Sequence, residues 1–165
     1  MKKPQLRERI LEVYQRGYLM SLGTQDAGGV WVSDVIYIWD QELNLYWMSD
    51  PDARHSRAIR ESGAGAATIT VSVPYTPDLG VQIAGTAREL RGRRYDLAVK
   101  HFAKRKKAKP SKLPDVLQGD KWYQLTPTRI ECIDEEYCGF EKRALVVSRP
   151  SFREVLDEKS HTNRT

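Results

Sequence analysis

Three basic side chains crowd into four positions of the stretch YWMSDPDARHSRAIRESG, residues 46–63: Arg54, His55 and Arg57. In a helix that begins near Pro51, Arg54 and His55 fall on the early turns, beside backbone amides with no intrahelical acceptor. That arrangement suits a phosphate. The competing reading is a plain surface helix, because Arg57 stands four residues before Glu61 and can pair with it along the helix face. Asp50 and Asp52 also place negative charge at the same helix start, which steadies a helix and opposes a dianion. On residue chemistry alone both readings stay open.

Other reactive chemistries find less support. The two cysteines, Cys132 and Cys138, and the histidines at 55, 101 and 161 match no zinc-ligand spacing and no disulfide scaffold, which suits a reduced compartment and suggests no metal. The segment GTQDAGG lacks the Lys-Ser or Lys-Thr ending of a phosphate loop and reads better as a hairpin turn. Neither a Gly-x-Ser-x-Gly elbow nor a His-Glu-x-x-His pair is present. The run KRKKAKPSK, residues 104–112, has no interleaved aromatic rings on which bases could stack, and it continues from a helix end, where positive charge is favourable.

Charge is unevenly spread over the 165 residues. Ten Lys or Arg residues lie in the segment 91–112 against the one acid Asp96, giving it +9, so the remainder of this +5 chain carries −4. Such a local excess argues against a whole face built for nucleic acid. A hydrophobic content of 40% is enough for one core, so a single domain over residues 1–150 with a polar tail at 151–165 is expected. No apolar run is long enough to span a membrane and the first residues lack a signal peptide's apolar core, which points to a cytoplasmic protein.

The elements that must position these residues are mostly strands. Leu6, Ile10 and Val13 recur at helical spacing up to Arg16, with Gly17 expected to close the helix in the left-handed conformation. Three apolar stretches follow, about 18–24, 30–39 and 43–48, separated by turn-like residues, and read as an antiparallel meander. The second is apolar on both faces: Val30, Val32, Ile36 and Ile38 share one parity with Asp34, and Trp31, Val35, Tyr37 and Trp39 share the other with Ser33. Burial on both sides suggests a closed barrel or a dimer face, and Ser33 and Asp34 interrupt it as pinned or ligand-facing polar residues. A helix capped by Asp50 and running to about Ser62 comes next. Strands at 66–73 and 81–90, the latter with a bend or bulge at Gly85, lead into a helix over 91–107. Pro110 and Pro114 bracket a loop, 121–134 is a strand made irregular by Pro127, and 143–148 is another. The fold class is therefore mainly β with flanking helices, best satisfied by a small antiparallel barrel.

In this order, GVWVSDVIYIWD, LNLYWMSD, DARHSRAIRESG, GAATITV and GVQIAGTAREL resemble the pyridoxamine 5'-phosphate oxidase-like split-barrel flavoproteins. The later WYQLTPTRIECID and YCGFEKRALVV look most like the YhbP-like branch of that family. The resemblance covers about residues 6–147 and implies a six-stranded split β-barrel that forms a homodimer with FMN at the interface. It places Ser49, Arg54 and His55 at the flavin phosphate, with Arg57 as a further basic candidate. It sets Val32, Ser33, Asp34 and Val35 along the ring and brings Gln82 to the flavin. Trp122 is either a flavin or substrate contact or a core residue. His55 stands where the family usually has a fixed positive charge, and the late Arg-x-His signature of the true oxidases is missing, so oxidation of pyridoxamine 5'-phosphate is not implied.

The resulting expectation is an FMN-dependent oxidoreductase acting on a small-molecule substrate, with NAD(P)H a candidate donor and His101, Tyr123 or Asp34 candidate proton donors. The alternatives are a non-catalytic flavin or haem carrier, and a nucleic-acid or anionic-partner protein working through residues 91–112.

Overall fold

The computed structural model describes residues 4–112, 116–148 and 151–156, the last of these as backbone. Helix α1 (Leu6–Arg16) buries Leu6, Ile10, Val13 and Tyr14, the stripe its periodicity demands, and the Gln5 amide donates to Glu8 Oε2 at 2.9 Å at its start. Arg9 is also buried on this helix, held by Asp134 through bonds of 2.7 and 3.0 Å from Nε and Nη2. That ion pair fastens α1 to the far end of the sheet. Gly17 does not take the expected left-handed conformation; it is extended, with φ −71°. Its need for glycine is steric, since a Cβ there would lie 2.5 Å from both Ile69 Cγ2 and the Tyr37 hydroxyl.

Strands β1 (Leu19–Asp26) and β2 (Gly29–Ile36) form an antiparallel hairpin. The long second strand foreseen in the sequence breaks at Tyr37, and its remainder, β3 (Ile38–Trp39), pairs instead with β4 (Leu45–Ser49). Helix α2 (Arg54–Ser62) begins three residues later than Pro51 and is led in by Ala53, because Asp50 is occupied in a turn, accepting the Asp52 amide at 2.8 Å. Gly63 ends it with φ +65°, the left-handed stop that glycine adopts without steric cost.

Strands β5 (Ala64–Thr70), β6 (Leu79–Leu90) and β7 (Lys121–Asp134) continue the antiparallel sheet. The register of β6 and β7 shifts between Ala84 and Gly85, opposite Pro127, as the sequence suggested. A Cβ on Gly85 would stand 2.2 Å from the Thr126 carbonyl oxygen, so the two backbones meet there. Helix α3 (Tyr95–Lys104) is shorter than foreseen, a single turn α4 (Glu135–Cys138) follows β7, and β8 (Arg143–Ser148) pairs with β7. The tail expected after Pro150 begins as a strand, β9 (Ser151–Leu156), antiparallel to β8. Pro114 lies outside the described residues.

Strand order is β2-β1-β5-β6-β7-β4-β3, with β8 and β9 added along β7. The two ends of that path, β2 and β3, are consecutive in sequence and separated only by Tyr37. The sheet thus curls until its ends are joined by the chain itself rather than by a ladder, giving a split barrel of mainly β structure flanked by helices. Its main core gathers Tyr14, Met20, Leu22, Tyr37, Trp47, Ile69, Tyr123 and Leu125, while a second cluster under α3 holds Ile38, Tyr46, Leu97 and Trp122. Among the described residues no helix is long and apolar enough to cross a membrane.

Two outcomes follow from this packing. Gly17→Ala should cost about 1–3 kcal/mol, typical of overpacking, read as a lowered midpoint of denaturant unfolding. His101, buried against the Trp122 ring at 5.6 Å, is pushed down to about 4 by burial and then by Arg105, Lys104 and Lys107, against a bond to the Ile36 backbone. The unfolded chain takes up a proton at His101 near pH 6.5 and the folded chain resists to about 4. Stability is therefore undiminished above about 6.5 and declines as pH falls toward about 4. His101→Leu should flatten that part of the stability-pH curve, and an unchanged slope would show that His101 does not cause it.

Candidate functional site

The sheet's outer face carries two parallel rows of cross-strand neighbours. One runs Val32, Gly23, Ala66, Ala84, Arg129, and the next Asp34, Ser21, Thr68, Gln82, Glu131, each crossing β2, β1, β5, β6 and β7. In the first row three successive residues have no side chain beyond Cβ. The face is therefore hollowed, and a groove of about 410 Å³ lies along it, with Thr68 and Gln82 on one side and Val32 and Arg129 at its ends. A Cβ on Gly23 would meet the Ala66 oxygen at 3.6 Å and its Cβ at 3.8 Å, ordinary contacts, so the glycine supplies room rather than relieving a clash.

Charge and polarity around the groove are already arranged. Gln82 Oε1 accepts from Lys142 Nζ at 2.9 Å, which turns the amide nitrogen's two hydrogens free for another acceptor. Arg129 Nε donates to Glu131 Oε1 at 2.8 Å, and Lys142 lies 3.5 Å from the other Glu131 oxygen. From Val32 (59%) at the end of the groove the same sheet face continues with exposed Val30 (76%) and Leu19 (46%). The double burial expected for β2 is therefore absent in the single chain, and its outer side is an open apolar strip.

The four residues 32 to 35 divide by strand alternation. Val32 and Asp34 face the groove side, where Asp34 accepts from the Ser21 hydroxyl at 2.6 Å. Val35 is buried inside the barrel, and Ser33 accepts the Trp31 indole at 3.0 Å on that inner side. Gln82 joins Val32 on the groove; Trp122 does not. Its side chain is fully buried in the cluster under α3, with Nε1 donating to the Arg93 carbonyl at 3.0 Å.

The basic cluster does not converge on one point. Arg54 turns to the β1-β2 hairpin, where Nε and Nη2 meet the Asp26 carboxylate at 2.7 and 2.9 Å and the guanidinium lies 4.6 Å from the Trp31 ring centroid. This fork holds the Asp26 carboxyl down to about 2, with the Gly28 amide bond helping. His55 instead shares a 2.7 Å hydrogen bond with Ser49 through Nε2. Burial lowers the His55 pKa, so near neutrality it is not the fixed cation a phosphate would prefer. Arg57 donates to the Asp52 carbonyl. Asp50 and Asp52 are exposed, and burial, with Asp50 adding to it, raises the pKa of Asp120, next to Lys121, the cross-strand partner of Ser49. Ser49 and His55 are thus brought together and the three basic side chains are dispersed.

Of the candidate proton donors, Tyr123 is buried against Trp47 at 5.8 Å and His101 is buried on the inner face of α3 against Trp122, leaving Asp34 alone on the groove's polar row. Burial also pushes the Cys132 thiol up to about 12, as for an unreactive core cysteine. Sequence reasoning missed Gly23, Ala66, Thr68, Ala84 and Asp26. The small residues alternate along β1 and β5 and carried a signal, but their alignment across strands depends on register.

This architecture is the split barrel of pyridoxamine 5'-phosphate oxidase-like proteins, and its groove lies on the outer sheet face. Solved structures with the same fold include the conserved hypothetical protein Rv2991 of Mycobacterium tuberculosis, with TM-score 0.70 and 11% identity over 84% of this chain and 93% of that one. A protein of Listeria innocua proposed to be a pyridoxamine 5'-phosphate oxidase gives 0.64 and 14% over 78% and 98%. The haem storage protein HutZ of Vibrio cholerae gives 0.56 and 16% over 75% and 91%. In sequence, UPF0306 protein PM1958 of Pasteurella multocida is 25% identical over 87 residues, a match spanning 52% of this chain and 58% of that protein. No family model matches the chain.

The Arg54 fork gives a direct check. In Arg54→Met the Asp26 carboxyl should titrate near its ordinary value of 3.8 instead of about 2, as read by carboxyl NMR. In the unaltered protein the stabilisation from this pair is complete above about pH 4 and is lost as pH falls through about 2. An Asp26 titration unmoved by the substitution would refute the fork.

Proposed function

We propose that two copies of this chain bind FMN on the groove face and act as a flavin-dependent oxidoreductase on a small-molecule substrate. The observation that carries this reading is the trough of Gly23, Ala66 and Ala84 between Val32 and Gln82, a shallow apolar slot flanked by oriented polar groups. Apolar Val30, Val32 and Leu19 beside it are suited to burial against a second copy, which would cover the ring from the other side. When bound, FMN would supply hydride transfer, and the protein's part is to orient and shield it.

Each group then has a defined task. Gln82, fixed by Lys142, offers its amide hydrogens to a ring carbonyl, and Thr68 stands beside it in the same row. Around the start of α2, Ser49, His55 and Arg57 would serve as donors for the phosphate, and Arg54 would share its guanidinium between that group and Asp26. The neutral His55 and the acids Asp50 and Asp120 make this phosphate end weakly charged, so affinity should improve as pH falls through the range where His55 protonates. Haem is the ligand of the Vibrio cholerae relative in fold. Here His55 is bonded to Ser49 and His101 is buried, so neither described histidine opens on the groove.

The test is equilibrium titration with FMN, followed by flavin fluorescence, with haemin as a parallel arm. Saturable FMN binding should be weakened about tenfold or more in Gly23→Val, which fills the trough at a position where an added Cβ makes only ordinary contacts, with folding checked by the melting temperature. Absence of FMN binding, or full affinity in a folded Gly23→Val, would sink the proposal.

A further inference from the structure

A second cavity, of about 490 Å³, lies away from the groove and shares no residue with it, between the end of α1, β3 and the last turns of α3. Ile38 and Trp39 give it an apolar and aromatic wall, Gln15 and Gln41 contribute amides, and Lys100 and Lys104 border it with positive charge. The run 104–112 read in sequence as a solvated helix end. Lys104 departs from that reading: its ammonium is buried over the Tyr37 ring, 3.4 Å from the centroid, and 5.4 Å from that of Trp39.

Only ring faces compensate this ammonium. Among the described residues Nζ has no hydrogen-bond acceptor, although it carries three donors. Burial pushes the amine down to about 8, as expected for a cation lacking a counter-charge, yet leaves it mostly charged at neutral pH. A buried unpaired polar group of this kind is costly, and an anion arriving beside it recovers that cost. Lys104 itself lines this cavity, and its flexible four-carbon stem allows Nζ to turn from the Tyr37 face to a ligand bound there. Lys100 stands one helical turn earlier on α3, exposed at the same cavity, and reinforces the sign of the field.

We infer that this cavity is a binding site for a small aromatic carboxylate, its ring against Trp39 and Ile38 and its carboxylate taken by Lys104 and Lys100. The two amides of Gln15 and Gln41 can serve the second carboxylate oxygen or a ring substituent. A neutral ring lacks the partner that Lys104 needs, and a cationic one meets repulsion from both lysines. The cavity volume falls within the range that holds ligands of this size.

Benzoate is the smallest probe of this chemistry. Calorimetric titration of the full chain with sodium benzoate should show saturable binding in a one-to-one ratio, with benzyl alcohol and benzylamine failing to bind at the same ionic strength. The Trp39 indole signal should shift in the NMR spectrum, and added FMN should not displace benzoate, which separates this site from the groove. Lys104→Met keeps the stem and removes the charge, and Lys100→Glu reverses charge at an exposed position that cannot unfold the core. Each should weaken benzoate at least about tenfold. No saturable benzoate binding, equal affinity for benzyl alcohol, displacement by FMN, or undiminished affinity in either folded variant would overturn the assignment.

Discussion

The structure turns on the passage of the chain through Tyr37. A sheet of this order must bring β2 and β3, the ends of its hydrogen-bonded path, to adjoining places, and one residue makes the connection. Tyr37 is fully buried there; its hydroxyl donates to the Tyr14 carbonyl at 3.0 Å and its ring meets Tyr14 edge-on at 6.2 Å. That hydroxyl occupies the space a Cβ on Gly17 would claim. One tyrosine thus fixes the end of α1, the break between the two strand halves and the closure of the barrel, and a buried polar group in such a place must be satisfied.

Consequences run outward to both cavities. Because β2 is released from β3 at Tyr37, its outer side stays on the open sheet face, and Val32 and Asp34 align with Gly23 and Ser21 to begin the two rows of the groove. The ring of the same residue carries the Lys104 ammonium, and Trp39, two residues on, lines the second cavity beside the lysine. At the other end of the sheet the buried pair of Arg9 and Asp134 secures α1 against β7. Removing one partner of such a pair leaves an uncompensated buried charge, which typically costs about 3–5 kcal/mol.

The phosphate reading of the Arg54 region illustrates how neighbours revise a residue's chemistry. Arg54 is a strong anion ligand in isolation, but the Asp26 fork and the Trp31 face already engage it. His55 exchanges charge for a bond to Ser49. A flavin phosphate would therefore meet donors more than net charge, and the apolar trough carries more of the proposed recognition than the basic cluster does. Likeness to the solved structures extends to the fold and not to a reaction, since one fold supports many activities.

Local pattern in the sequence was sufficient for α1, the hairpin of β1 and β2, the end of α2 at Ser62, the bulge at Gly85 and the long strand β7, because periodicity and steric limits on glycine and proline act over a few residues. The mainly β class followed from the same signals. What needed the tertiary structure was every relation between distant segments: the cross-strand alignment of Gly23, Ala66 and Ala84 into a trough, the capture of Arg54 by Asp26, and the burial of Trp122. Lys104 shows the limit most clearly. Within KRKKAKPSK it is one cation of several, and only the approach of Tyr37 and Trp39 from a strand more than sixty residues earlier takes it out of water. Burial, and the change in charge chemistry it brings, is set by what folds over a residue, and no window of neighbouring sequence contains that.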